Sequence, residues 1–240
     1  MYSPSYIAIS HMTALRREMS VTANNLANMN TPSYKTEKPL FTEYSLPQPD
    51  QKDVSYVQDF GLVRDLQVGT LSQTGNPLDI AINGPGYFVV ETPNGNRYTR
   101  AGLFSLAPNG DIVNREGFPL MDDRGRQFNI PQGAKNISIS NDGVISADAL
   151  NLGKIQLVEF RDERALKKLP DGLYETNQDP VRLREFEVRQ GMVEGSNVVA
   201  MLELTNMIEV QRAYDGAKQL VDREDERMRT AIRKLSGNNN

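Results

Sequence analysis

From Met207 to Leu235 the apolar residues step mostly by three and four: Met207, Val210, Tyr214, Ala217, Val221, Met228, Ala231 and Leu235, broken only at Glu224 and free of proline. That spacing places one apolar stripe on a long helix with a coiled-coil-like repeat. Ser196 and Asn197, just after Gly195, are the N-cap candidates, so the predicted helix covers residues 196–235. At 1.5 Å per residue such a helix is roughly 60 Å long, too long for an ordinary compact domain. Burying a large apolar side chain gains about 1.5–3 kcal/mol, so the stripe needs something to cover it.

A second stripe begins the chain. Ser3 and Pro4 read as an N-cap followed by proline at the first helical position. Ala8, Met12, Leu15, Met19, Thr22 and Leu26 then step by four and three over a predicted helix of residues 4–28. Asn24, Asn25, Asn28 and Asn30 crowd its end, where asparagine favours caps, and Thr31-Pro32 stops it. Asn24 and Asn28 share a helix face. They either pair with a neighbouring group or mark a fraying end, and the residues alone do not decide. The two stripes are equally open: an intramolecular helical hairpin that is merely core, or a seam between chains. Their unequal lengths leave about a dozen C-terminal residues uncovered, which favours a partner chain.

Residues 36–60 contain Pro39, Pro47 and Pro49 and hold no period, so they read as an extended connector with a short strand near 54–57. From Gly61 the pattern changes. Residues 78–82 alternate, Asn83-Gly84-Pro85-Gly86 turns, and Tyr87-Phe88-Val89-Val90 is a buried-strand run. Asn94-Gly95, Asn109-Gly110 and Asp142-Gly143 are hairpin turns, with further strands predicted at 111–114, 118–121, 128–130, 137–140, 155–160 and 186–189. One short helix is predicted near 163–169. The fold class is therefore α+β: terminal helices (1–35 with 192–240) pairing as a coiled-coil-like stalk, an extended connector (36–74), and an inserted antiparallel β-domain (75–191).

Chemistry is sparse in the pattern. The 240 residues carry a net charge of −4 with scattered basic residues, which suggests neither nucleic acid nor an anionic membrane as a partner. No apolar run approaches the roughly 18 residues of a membrane span. No secretory signal is expected either, because no Lys or Arg precedes Arg16 and the apolar run at 6–9 is too short. Cysteine is absent and His11 is the single histidine, so a zinc site or a histidine-based triad would lack partners. No catalytic residue, metal or cofactor is expected. Asp111, Asp122, Asp123, Asp142 and Asp171 sit in turn sequences, where Asp bonds locally, and Asp122-Asp123-Arg124-Gly125 lacks the alternating ligands of a calcium loop. A glycosidase-type carboxylate pair is set by spacing in space, so the residues leave it open. The 83–86 run leads into a strand, without a helix N-terminus to hold phosphate, and reads as a turn.

Residues 22–35 (Thr-Ala-Asn-Asn-Leu-Ala-Asn-Met-Asn-Thr-Pro-Ser-Tyr-Lys), 76–84, 86–90, 98–105, 157–160, 194–198 and 211–214 resemble, in order, the segments of the bacterial flagellar rod and hook protein family. The resemblance implies a non-enzymatic building block, exported unfolded through the flagellar type III apparatus and without a cleaved signal. Its partners would be other rod proteins and copies of itself, in the basal-body rod within the periplasmic space. The terminal helices, loose in a free monomer, would pack into an inner tube. The β-domain would form the outer layer, and the assembled rod would transmit torque. The assembly interface is expected at Ala8, Met12, Leu15, Met19, Asn24, Leu26 and Asn28, and at Met207, Val210, Tyr214, Val221, Met228 and Leu235. Chain length sets aside the hook and small rod members. The residues 30–34 and 191–195 then favour a proximal-rod member, with a distal-rod member as the alternative. From a different class, a periplasmic β-domain binding or cleaving peptidoglycan is the competing reading. Two positions depart from the pattern. The family usually has glycine at Ser33, so a left-handed turn there costs about 1–2 kcal/mol or moves elsewhere, as to Asn30. Gly216, inside the long helix, costs about 1 kcal/mol relative to alanine and is a candidate for close approach of a neighbouring helix.

Overall fold

The computed structural model describes residues 4–46, 54–134, 136–148 and 150–237. The chain forms two compact units. A helical unit comprises Met1–Met29, Thr36–Asp65 and Val198–Asn240, and a β unit comprises Asn30–Lys35 and Leu66–Asn197.

In the helical unit, α1 (Pro4–Ala27) packs on α2 (Ala200–Ser236) and on a hairpin of β1 (Glu37–Leu46) and β2 (Val54–Arg64). Asn25, near the end of α1, bonds Glu203 in the first turn of α2, so the helices run antiparallel from a shared end. α2 has 37 residues against 24 in α1, and none of its residues from 225 to 236 is even half-buried. It starts later than expected because Ser196 and Asn197 do not cap it. Val199 is the N-cap and supplies no side-chain bond. Asn197 is used in the β unit instead, its N–H donating to Tyr34 O and its Nδ2 to Gln67 O. The Ser3 cap candidate, Pro47 and Pro49 lie outside the described residues.

The hairpin takes the place of the extended connector expected for residues 36–60, and the short strand expected near 54–57 is the start of its β2. Its strands pair from Glu37 opposite Arg64 to Leu46 opposite Val54. Between Leu40 and Phe41 the register shifts, leaving Phe60 as the extra residue of a bulge beside Gly61, whose φ of 144° suits glycine. A two-stranded ribbon has no continuous buried face and so little alternation to read, and an isolated one is marginal in water. Packing on α1 stabilises it.

The β unit is antiparallel throughout. Its strands in chain order are β3 (Leu71–Gln73), β4 (Ile80–Asn83), β5 (Tyr87–Thr92), β6 (Gly95–Thr99), β7 (Ser105–Leu106), β8 (Ile112–Val113), β9 (Ile137–Ile139), β10 (Val144–Ala147) and β11 (Leu150–Lys154). They continue with β12 (Leu157–Glu159), β13 (Lys167–Lys168), β14 (Leu173–Glu175), β15 (Val181–Arg182), β16 (Glu187–Gln190) and β17 (Met192–Glu194). The largest sheet has the order β13-β14-β6-β5-β12-β15, beside a three-stranded sheet β11-β10-β9 and the pairs β16-β4, β17-β3 and β7-β8. The 87–90 run is apolar throughout because both faces of β5 are covered. Phe88 and Val90 join the main core with Ile80, Ile112 and Phe128, whereas Tyr87 and Val89 face a second core with Tyr98, Phe160 and Tyr174. There Tyr98 meets Phe160 edge-on at 4.7 Å.

Residues 118–121 and 128–130 pair through single bridges, such as Val90 with Leu120 and Asp111 with Asn129, rather than as full strands. The helix expected near 163–169 is one 3₁₀ turn, Glu163–Ala165, followed by β13. The Asp162 carboxylate accepts from Arg164 N at its start, and Leu166 leaves the turn to fill the second core.

Candidate assembly surfaces and a buried charge cluster

The expected interface residues divide by position. Leu15 and Val210 are buried, and Ala8, Met12, Met19, Leu26, Met207, Tyr214 and Val221 are half-buried within the helical unit. Met228 and Leu235 lie on the overhang of α2, 43% and 79% exposed. Asn24 and Asn28 pair with each other: the Asn28 amide donates to both the carbonyl (2.8 Å) and the side-chain oxygen (2.9 Å) of Asn24, closing the helix end. Asn25 is the asparagine that the 3–4 spacing missed. It is buried, donating to Glu37 O (2.8 Å) and Glu203 Oε2 (3.2 Å) while its Oδ1 accepts from Glu37 N (3.1 Å). Ala14, Val21 and Asn25 step by seven and four, a second buried row that could have revealed it. Glu203 is also placed where the positive end of α2 favours a carboxylate.

Exposed apolar side chains lie off the expected stripe as well. Met201, Leu204 and Ile208 step by three and four along α2, Tyr6 and Ile9 stand out on α1, and Ile232 joins Met228 and Leu235 on the overhang. Gly216 has nothing within 4 Å of where a Cβ would stand, so no neighbour within this chain requires it.

In the β unit, three family-like segments converge on one carboxylate. Glu194, only 1% exposed, accepts on Oε1 from Lys35 Nζ (2.5 Å) and Gly69 N (3.1 Å), and on Oε2 from Arg100 Nε (3.0 Å). Lys35 Nζ also donates to Gln67 O at 2.6 Å. The Arg100 guanidinium donates to Gly86 O (2.8 Å) and Gly84 O (2.9 Å), so the glycine-rich turn at 83–86 serves as a carbonyl acceptor for a buried cation. Ser33 keeps the left-handed conformation, with φ 57°, although it is not glycine. Its N–H donates to Glu194 O and its hydroxyl to Arg100 O, both at 2.8 Å. Gly69 is required by close approach, because a Cβ there would stand 2.0 Å from Gly195 O. Gly102 is required likewise, at 1.6 Å from Ile80 O.

Elsewhere the carboxylates are tied locally. Burial raises the Asp122 carboxyl, but the Arg126 N–H and guanidinium and the Arg124 N–H outweigh it and hold the group below its ordinary value. His11 is exposed on α1, and among the described residues no group of three His, Asp or Glu is placed to hold a metal ion. No helix among the described residues is long and apolar enough to cross a membrane.

Helices that leave apolar rows uncovered, and buried charges bonded to one another and to backbone, fit a subunit that associates with others. Comparison with known proteins gives the same class. Residues 6–35 match the description "Flagella basal body rod protein", 81–147 "Flagellar hook protein FlgE/F/G D1 domain", and 189–234 "Flagellar basal body rod FlgEFG protein C-terminal". A flagellar basal-body rod protein FlgF of Caulobacter vibrioides is 37% identical over 236 residues, covering 96% of each chain. A FlgG of Buchnera aphidicola is 32% identical, covering 92% of this chain and 95% of its own, and a FlgF of Rhizobium meliloti is 30% identical, covering 97% of each. The chain belongs to the flagellar basal-body rod family and is a structural rod subunit of the basal body, not an enzyme. Membership implies assembly with other rod proteins and with its own copies.

Proposed function

We propose that the chain is a subunit of the proximal rod, exported through the flagellar type III apparatus and assembled through its terminal helices into the drive shaft that crosses the periplasm. The observation that carries this reading is the overhang of α2, where Met228, Ile232 and Leu235 stay exposed beyond the reach of α1. Burying such side chains against neighbouring subunits gains about 1.5–3 kcal/mol each. In the assembled rod the terminal segments 1–35 and 192–240 supply the axial layer through α1 and α2, paired in coiled-coil fashion, and 75–191 forms the outer layer. Residues 36–74, which contain the β1–β2 hairpin, lead from one to the other. The Caulobacter FlgF, at 37%, shares more identity than the Buchnera FlgG, at 32%, and, since the family resemblance gives F the proximal and G the distal position, this supports the proximal one. The FlgG matches keep the distal rod as the second reading.

Electron microscopy of basal bodies from cells lacking this chain separates the two. Rods that stop short of the distal segment support the proximal position. Rods that carry every proximal part and stop only at the distal segment support the distal one, and intact rods would refute both.

A further inference from the structure

We propose that the Glu194 carboxylate, with Lys35 and Arg100, is the mechanical clamp through which the subunit passes torque, an inference that rests on the rod reading above. The chain crosses the boundary of the β unit four times, next to Asn30, Lys35, Leu66 and Asn197. Lys35 bonds Glu194 directly. Gln67, one residue past the crossing at Leu66, accepts from both Lys35 Nζ and Asn197 Nδ2. Asn197 itself donates to Tyr34 O. The remaining crossing leads from Asn30 to Ser33, whose N–H donates to Glu194 O. Force that enters or leaves the β unit along the backbone therefore passes through residues that these bonds tie together.

Three buried charges are a poor way to gain stability, since packed apolar residues commonly do as well or better. What they provide is direction. Charge-assisted hydrogen bonds hold a fixed geometry, whereas apolar contact is non-directional and tolerates sliding. Arg100 extends the hold to the 84–86 turn, and Gly69 brings the 69 and 195 backbones into direct contact.

Glu194→Gln keeps the volume and removes the charge. In the purified chain, amide exchange at Ser33 and Gly69, which donate to Glu194, is expected to quicken roughly a hundredfold, because removing one partner strands the buried cations. Amides within β5 and β6 should keep their protection. In cells carrying this variant as the sole copy, rods should assemble and swimming should be normal in thin medium, with flagella lost selectively as viscosity rises. Wild-type swimming at every viscosity would overturn the clamp, as would unchanged exchange or the absence of rods in thin medium despite a folded chain. Should Glu194→Gln fail to fold, Lys35→Met, which leaves Arg100 and Gly69 on the carboxylate, faces the same two assays and the same criteria. Failure of the rod reading shows separately, as intact rods in cells lacking the chain altogether.

Discussion

Ser33 carries a left-handed backbone without being glycine, and its hydroxyl bond to Arg100 O offsets the strain. Ser33→Ala keeps the strain and loses that bond, at an expected cost of about 1–2 kcal/mol. Ser33→Gly loses the bond but relieves about 1–2 kcal/mol of strain, less the roughly 0.5–1 kcal/mol entropic cost of glycine. Denaturant midpoints should fall in the order wild type, Ser33→Gly, Ser33→Ala, and an alanine variant as stable as wild type would show that the bond contributes nothing. Asp122 sets a pH dependence. Its folded pKa is depressed, so its contribution is complete above the unfolded value of about 3.9 and is lost as pH falls through the lower folded value. Acid titration of Asp122→Asn should show a shallower loss in that window. The cluster that joins these segments was not legible beforehand. Lys35 and Arg100 lie 159 and 94 residues from Glu194, and a buried ion cluster leaves no period in a sequence.

The two helices were legible because a 3–4 apolar step is a property of neighbouring residues, and both appear within a few residues of the expected ends. The hairpin was not, because its strands lack a continuous buried face and contain Pro39. Nor was the true start of α2, because Asn197 is consumed by the β unit rather than by the helix. The largest sheet ends on two-residue strands that carry Lys167, Lys168 and Arg182, short charged edges that discourage unwanted pairing. At Gly216 the open surroundings make a sharp test. Gly216→Ala should stabilise α2 in the purified chain by about 1 kcal/mol, read from its helix melting. If the glycine admits a neighbouring subunit, the same variant should reduce rod completion, and normal completion would leave it without that role.

At the scale of the molecule, the helical unit buries the middle of the expected stripe internally and leaves its far end uncovered. Tyr214 and Val221 are half-buried, while every residue from 225 to 236 is exposed. Length alone pointed to this surplus, since an antiparallel partner of 24 residues cannot cover 37. The second exposed row at Met201, Leu204 and Ile208 begins ahead of the Met207–Leu235 stripe and lies one residue out of its register, so it falls on an adjacent face of the helix. The claim that joins these observations is that exposed apolar surface on α2 is reserved for other subunits. Met228→Glu tests it most directly, because the residue is exposed and its change should leave the β unit intact. In cells carrying this variant alone, with wild-type near-ultraviolet signal and β-unit melting in the purified chain, electron microscopy is expected to show basal bodies whose rods stop at this subunit, and the cells should not swim. Complete rods and normal swimming would contradict the claim.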